Sequence, residues 1–329
     1  MDGRVEPGHD EKFNDKIVEY IHMNEVTKPR TAEDVRRHLM AAGRGLSRDH
    51  MMMSYDMYAE LQRGIKTEGV EVAMDINYGD HERQVLDVHM PKDSQNNSGG
   101  KKLPVVMFFH GGGFISGHKN VKKGAFYGNV GDFFAKNGII CCNGTYRYAP
   151  EVTWPDGARD IGNAVEWARK NIAEYGGDPD AIVVMGHSSG GTHVGTYALH
   201  KDVQPPEGTI KGAIIMSGQC RPDVENAPGD RASPYYGADK SKFLAMSAIA
   251  NMGPVKTPVY VMLGEGDSQP FLKAGFDMGQ ALLERDGTPP WFRIIPGHGH
   301  MSEILSVNTE DTSVGQDMID FVNEVTGRK

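Results

Sequence analysis

From residue 69 onward the chain alternates two kinds of segment, and that alternation leaves few folds open. Short apolar runs recur as VEVAMDINY, QVLDVHM, LPVVMFFH, GIICCNGTY, AIVVMGH, IKGAIIMSG, PVYVMLGEG and WFRIIPG. Between them lie longer stretches with helical spacing: GAFYGNVGDFFAKN, DGARDIGNAVEWARKNIAEY, GGTHVGTYALHK, PFLKAGFDMGQALLERDG and, last, GQDMIDFVNEVTG. A short continuous apolar run reads as a strand buried on both faces. The first two runs alternate enough to form an antiparallel opening pair. The rest predicts an α/β domain with a mostly parallel eight-stranded sheet flanked by helices, its crossovers right-handed. In such sheets chemistry sits at the carboxyl ends of the strands. The residues that follow each apolar run therefore carry the functional question.

The run AIVVMGH leads into Gly186-His187-Ser188-Ser189-Gly190, which fits G-x-S-x-G. A serine that ends a strand and opens a helix is placed as a nucleophile elbow requires, with free N–H groups beside its oxygen. The run LPVVMFF leads into His110, then Gly111, Gly112 and Gly113, then Phe114. Three glycines at the end of a core strand are entropically costly. They make sense where bare amides must approach a substrate, so Gly112 and Gly113, with Ser189, are candidates for an oxyanion hole. His110 then braces the loop, with Gly111, Gly186 and Gly190 as supporting positions.

A serine nucleophile needs a base, and the base needs an orienting acid. Asp267 follows the next-to-last strand, with Glu265 as rival acid. His300 follows the last strand, with His298 as rival base. The order Ser188, Asp267, His300 is that of an α/β-hydrolase. Arg147, Pro150 and Glu151 of YRYAPE, and Asp160 within the following helix, read as structural groups. GHGH with His187 and His193 raises zinc, but no H-E-x-x-H or paired-cysteine motif accompanies it, so no metal and no cofactor is expected.

Taken together, HGGGF, YRYAPE, GHSSGG, GEGD and GHGHMSE resemble the α/β-hydrolase esterases of the hormone-sensitive-lipase-like group. GEGDSQPF with HGHMSEI is similar to the subgroup that holds bacterial feruloyl and acetyl-xylan esterases and arylformamidases. The resemblance covers residues 67–329 and implies Ser188 as nucleophile, His300 as base, Asp267 as acid, and Gly112, Gly113 and Ser189 as oxyanion donors. Gly299 departs from the asparagine common before the catalytic histidine. The implied activity is serine hydrolysis of short-chain or compact aromatic carboxylic esters. The alternatives are an amidase or arylformamidase of the same fold, or a non-catalytic small-molecule binder.

Residues 1–66 match none of these motifs. Helix signals dominate there, including Thr31 and Asp34 ahead of DVRRHLMAAG, a pattern close to a capping box. The resemblance implies an N-terminal helical cap or lid, and a second segment that the core sheet does not need, about 221–250, reads as a short lid insertion. Met51, Met52, Met53 and Tyr55 from the first, and Tyr235, Tyr236, Phe243 and Met246 from the second, would wall a pocket. Phe114, His187, Tyr235 and Tyr236 are the candidate substrate contacts. The formal net charge is −9, which argues against nucleic acid as a partner. No apolar run approaches the length of a membrane span, and the polar N-terminus lacks a signal-peptide core. Three cysteines, two of them adjacent in an apolar run, make no disulfide framework. The expectation is a cytoplasmic enzyme that takes a small-molecule ester, with no membrane partner and with a homodimer left open.

Overall fold

A computed structural model describes residues 31–44, 46–94, 100, 102–121, 126–222 and 234–328. The first 30 residues of the expected cap, and residues 223–233 of the expected insertion, lie outside the described residues. Two helices come first, α1 (Ala32–Ala41) and α2 (Arg48–Gln62). The Thr31 hydroxyl accepts from the Asp34 amide at 3.1 Å, which starts α1 as the sequence pattern predicts.

All eight expected strands are present: β1 (Val70–Asn77), β2 (Val85–Pro91), β3 (Leu103–Phe109), β4 (Ile140–Gly144), β5 (Gly177–His187), β6 (Gly212–Met216), β7 (Val259–Gly264) and β8 (Trp291–Ile295). They form one sheet in the order β1-β2-β4-β3-β5-β6-β7-β8. β2 runs antiparallel to β1 and β4, and the other pairs are parallel. The intervening helices are α3 (Gly128–Lys136), α4 (Asp156–Asn171), α5 (Ser189–Leu199), α6 (Gln269–Asp286), the short α7 (Ser302–Leu305) and α8 (Gly315–Val325).

Alternation along the strands divides the core into two layers. Val105, Met107 and Phe109 of β3 point to one face, where Ala164 and Val165 of α4, Val194 and Leu199 of α5, and Met278 and Leu282 of α6 cover them. Val106 and Phe108 point to the other, under Val130 and Phe134 of α3 and Met318, Phe321 and Val322 of α8. Cys141 and Cys142 of β4 fall on opposite faces as small buried hydrophobes. Among the described residues, no helix is long and apolar enough to cross a membrane.

The N-terminal helices dock on the second layer through Val35, Leu39 and Tyr58. Several of their polar contacts reach the stretch that follows His300. Arg36 pairs with Asp311 at 3.0 Å, and Gln62 donates to the carbonyls of Leu305 and Val307 at 3.2 and 2.9 Å. Met51, Met53 and Tyr55, expected as pocket walls, lie half-buried against this same core. They pack the helix onto the domain, because α2 presents that face to the sheet layer below it. Tyr235, Tyr236 and Phe243 join Phe114 in a separate closed aromatic cluster.

One buried charge fixes the loop that follows β3. The Lys119 ammonium is 1% exposed and bonds Asp87 at 2.6 Å and Asp75 at 2.7 Å. Asp87 also accepts from Asn120 at 2.7 Å and from the Asp75 amide at 2.8 Å. A buried ion with one partner removed is poorly solvated, so Asp87→Ala should cost on the order of 3 kcal/mol of stability. Adding Lys119→Met to that variant should recover most of the loss. Urea unfolding of the single and double variants checks this, and equal loss in both would show that the charge is not the source.

Candidate active site

Ser188 stands between β5 and α5 with φ 56° and ψ −122°. A non-glycine residue there carries strain of about 1–3 kcal/mol, which the surroundings must hold in place. They do so by close backbone approach. A Cβ at Gly186 would lie 2.4 Å from the Gly190 carbonyl carbon, and one at Gly190 would lie 2.2 Å from the Phe109 carbonyl oxygen. Both glycines of the motif are thus required by packing, and the Ser188 amide is tied to Met216 O at 2.9 Å.

The glycine loop lies directly against this elbow. A Cβ on Gly111 would stand 3.0 Å from the Ser188 Cβ. Gly112 and Gly113 have φ of 153° and 63°, and a Cβ on Gly112 would overlap the Ser116 carbonyl. The Ser116 hydroxyl closes the turn by donating to Gly112 O at 2.7 Å. The Tyr127 hydroxyl lies beside the Gly111 amide and the Tyr55 hydroxyl. The Gly112, Gly113 and Ser189 amides have no partner among the described residues.

His110 is buried, and its Nδ1 donates to Gly111 O at 2.7 Å. Burial pushes its pKa down to about 3, so the ring is neutral and braces the loop. Tyr146, which sequence reasoning passed over, ties the two halves together. Its hydroxyl donates to His110 O at 2.8 Å and lies 3.1 Å from Ser189 Oγ. Arg147 and Asp160 pair at 2.7 Å behind it.

Asp267 and His300 meet from the ends of β7 and β8. His300 Nδ1 donates to Asp267 Oδ1 at 2.8 Å, and both side chains are buried. Asp267 Oδ2 accepts from Ser217 Oγ at 2.5 Å and from the Gly264 amide at 2.9 Å. His187 Nε2 donates to the His300 carbonyl at 2.7 Å, and the two rings are 4.8 Å apart. Among the described residues no hydrogen bond joins Ser188 to His300. Such contacts are often loose without substrate and tighten in the complex.

The rivals are engaged elsewhere. His298 Nε2 donates to Ser313 Oγ at 2.9 Å beside Asp311, and Glu265 accepts from the Gly297 amide at 2.9 Å. Phe114, Tyr235 and Tyr236, expected as substrate contacts, are buried against one another, with Phe114 and Tyr235 stacked at 4.7 Å. They brace the turn after Gly113 and leave little surface for a ligand. His187, the fourth expected contact, is buried beneath the site and holds His300. His187, His300 and Glu303 each offer a ligand atom within 4.8 Å of the others. His187 Nε2 and His300 Nδ1 already donate to oxygen, which leaves one nitrogen free on each ring. Ser217 and Glu303 were not legible as site residues; only the nearness of Glu303 to His300 in GHGHMSE hinted at the second.

The chain is similar to known proteins. Residues 86–226 match the family model BD-FAE. The chain is 26% identical over 282 residues to Esterase LipQ of Mycobacterium tuberculosis (strain ATCC 25618 / H37Rv), covering 78% of this chain and 63% of that protein. It is 36% identical over 148 residues to a probable isoprenylcysteine alpha-carbonyl methylesterase, ICMEL1, of Arabidopsis thaliana, covering 45% of this chain and 29% of that protein. The chain thus spans less than two thirds of the length of both curated relatives. The crystal structure of an inhibited esterase B from Lactobacillus rhamnosis superposes with a TM-score of 0.67 at 14% identity, covering 89% of this chain and 97% of that one. The fold is that of the α/β-hydrolases.

Burial of the histidines makes stability depend on pH. His110 and His193 are both pushed down to about 3 by desolvation, against about 6.5 in an unfolded chain. Between those values the unfolded chain binds protons that the folded chain refuses. The contribution is fully present above about 6.5 and is lost as pH falls toward 3. From pH 7 to pH 5, each such histidine should remove about 2 kcal/mol. Urea unfolding at the two pH values should show His193→Leu losing less than the parent by about that amount. Equal losses would mean the ring is not a buried neutral group.

Proposed function

We propose that this chain is a serine carboxylesterase, with Ser188 as nucleophile, His300 as base and Asp267 as the acid that orients it. The observation that carries the reading is the buried Asp267–His300 bond, tied through the His300 carbonyl to His187, the residue before an elbow serine that a glycine loop abuts. Relatives named as esterases support it.

His300 Nδ1–H is committed to Asp267, which leaves Nε2 as the basic nitrogen. Nε2 takes the Ser188 proton as Oγ bonds to the ester carbonyl carbon. The carbonyl electron pair moves to oxygen, and the amides of Gly112, Gly113 and Ser189 receive that oxyanion. Collapse breaks the acyl–oxygen bond, and the alcohol departs with the proton from His300. Water then attacks the acyl-enzyme, giving its proton to His300, and the acid is released with Ser188 restored. The partner is a small-molecule ester of a short or compact acyl group. The three cysteines are free and buried, which suits a reducing compartment such as the cytoplasm.

A series of p-nitrophenyl esters from acetyl to palmitoyl, run beside aryl amides and N-formylkynurenine, tests the substrate class. Short acyl esters should be turned over fastest, and amides more slowly. Ser188→Ala and His300→Ala should each lower kcat by about 10⁴-fold or more, because the members act as a unit. His298→Ala should retain activity within about tenfold, as a residue outside that unit. Faster turnover of N-formylkynurenine than of every ester would make the arylformamidase reading the correct one. A wholly inactive protein that binds an ester would leave only a binding role.

A further inference from the structure

The mechanism above leaves one buried ionisable group in the site without a task. Glu303 lies on α7, three residues after His300, and is 0% exposed. Neither carboxyl oxygen has a hydrogen-bond partner within ordinary distance. Buried carboxyls are seldom left in that condition, and the exceptions call for an explanation. Its neighbours are not random. Oε1 is 3.7 Å from His187 Nε2, the nitrogen that donates to the His300 carbonyl. On its other side the carboxyl interacts with Ser217, whose hydroxyl donates to Asp267. Glu303 therefore lies beside both connections that orient His300: the one to its backbone and the one to its acid.

We propose that Glu303 is a positioning residue for the Ser188–His300–Asp267 unit, holding the acid and the histidine in line through Ser217 and His187. The proposal rests on the esterase reading above. The titratable groups that face Glu303 are Asp267, His187 and His300. Burial pushes the Glu303 carboxyl well above its ordinary range, repulsion from Asp267 adds to that, and the two outweigh the opposing effect of Ser217, so the carboxyl is held protonated. A protonated Glu303 has an O–H to give. Ser217 Oγ, which already gives its own proton to Asp267 Oδ2, is the nearby oxygen that could accept it if the two close to hydrogen-bond distance. The carboxyl thus directs hydrogen bonds without adding charge beside the imidazole.

The test compares Glu303→Gln, Glu303→Leu and Ser217→Ala with the parent, with Ser188→Ala run in parallel. Glutamine keeps the shape and an N–H donor but can never ionise. It should hold kcat within about threefold and leave the acid limb of the kcat/KM profile in place, as expected for a neutral donor. Leucine should lower kcat at least about tenfold with KM little changed, the pattern of an interaction that matters in the transition state. Ser217→Ala should do the same, and combining it with Glu303→Leu should cost little more, since both act along one path. In the infrared, the carbonyl band of a protonated buried carboxyl should be present in the parent at neutral pH and absent from Glu303→Gln. Parent-like kcat in a folded Glu303→Leu would overturn the proposal. So would an acid limb that shifts in Glu303→Gln, which would mean an ionised side chain. Active Ser188→Ala would instead overturn the esterase reading itself, whatever the Glu303 variants do.

Discussion

The approach of the α5 N-terminus to the end of β3 is the contact on which the rest of the site depends. Gly190 passes so close to the Phe109 carbonyl that a Cβ there would stand 2.2 Å from its oxygen. That proximity puts the strained Ser188 beside the glycine loop, since the loop begins one residue beyond Phe109. The candidate nucleophile and the candidate oxyanion donors are therefore adjacent because two main chains touch, and not because side chains reach toward each other. A site built on main-chain contact resists the small displacements that weaken catalysis.

What holds that contact is distributed over residues with no chemistry of their own. Tyr146 spans from the His110 carbonyl to Ser189, and Arg147 in the next position is clamped by the buried Asp160. Lys119 anchors the far end of the loop to β2 through Asp87. The rings of His110 and His193 are kept neutral by burial. They behave as polar aromatics that stack on Tyr146 and pack under Phe114. Polar groups are common beneath this site, and nearly all serve to set the shape of a loop. Histidine count alone would have been a poor guide to the base.

The sheet was legible because its strands are buried on both faces and so appear as unbroken apolar runs. The strand ends pointed to the candidate chemistry, because Ser188, Asp267 and His300 each stand one to five residues beyond such a run. Three features were not legible, each for a physical reason. Tyr146 acts through its hydroxyl at a distance of 43 residues from Ser189, and nothing in local pattern marks a long-range hydrogen bond. Ser217 and Glu303 have no periodicity or motif that separates them from ordinary core-edge residues. The aromatic residues Phe114, Tyr235 and Tyr236 have the composition of a substrate pocket, yet the fold closes them on one another. Composition fixes that they must be covered; it does not say whether by protein or by ligand.

The placement of α1 and α2 follows from where the hydrophobic layer is left open. α7 is only one turn long and cannot cover the second layer alone, so Val35, Leu39 and Tyr58 complete it. The same docking brings Arg36 onto Asp311 and Gln62 onto the carbonyls of Leu305 and Val307. Those carbonyls belong to the stretch that carries His300 and Glu303 away from the sheet. The last strand ends at Ile295, and beyond it the sheet reaches this segment through side chains such as His187 of β5, which bonds the His300 carbonyl at 2.7 Å. The described N-terminal helices thus supply a floor for the segment that carries His300. Their contribution to the site runs through the position of His300, and it would persist whether or not any part of the N-terminal segment also covers the serine.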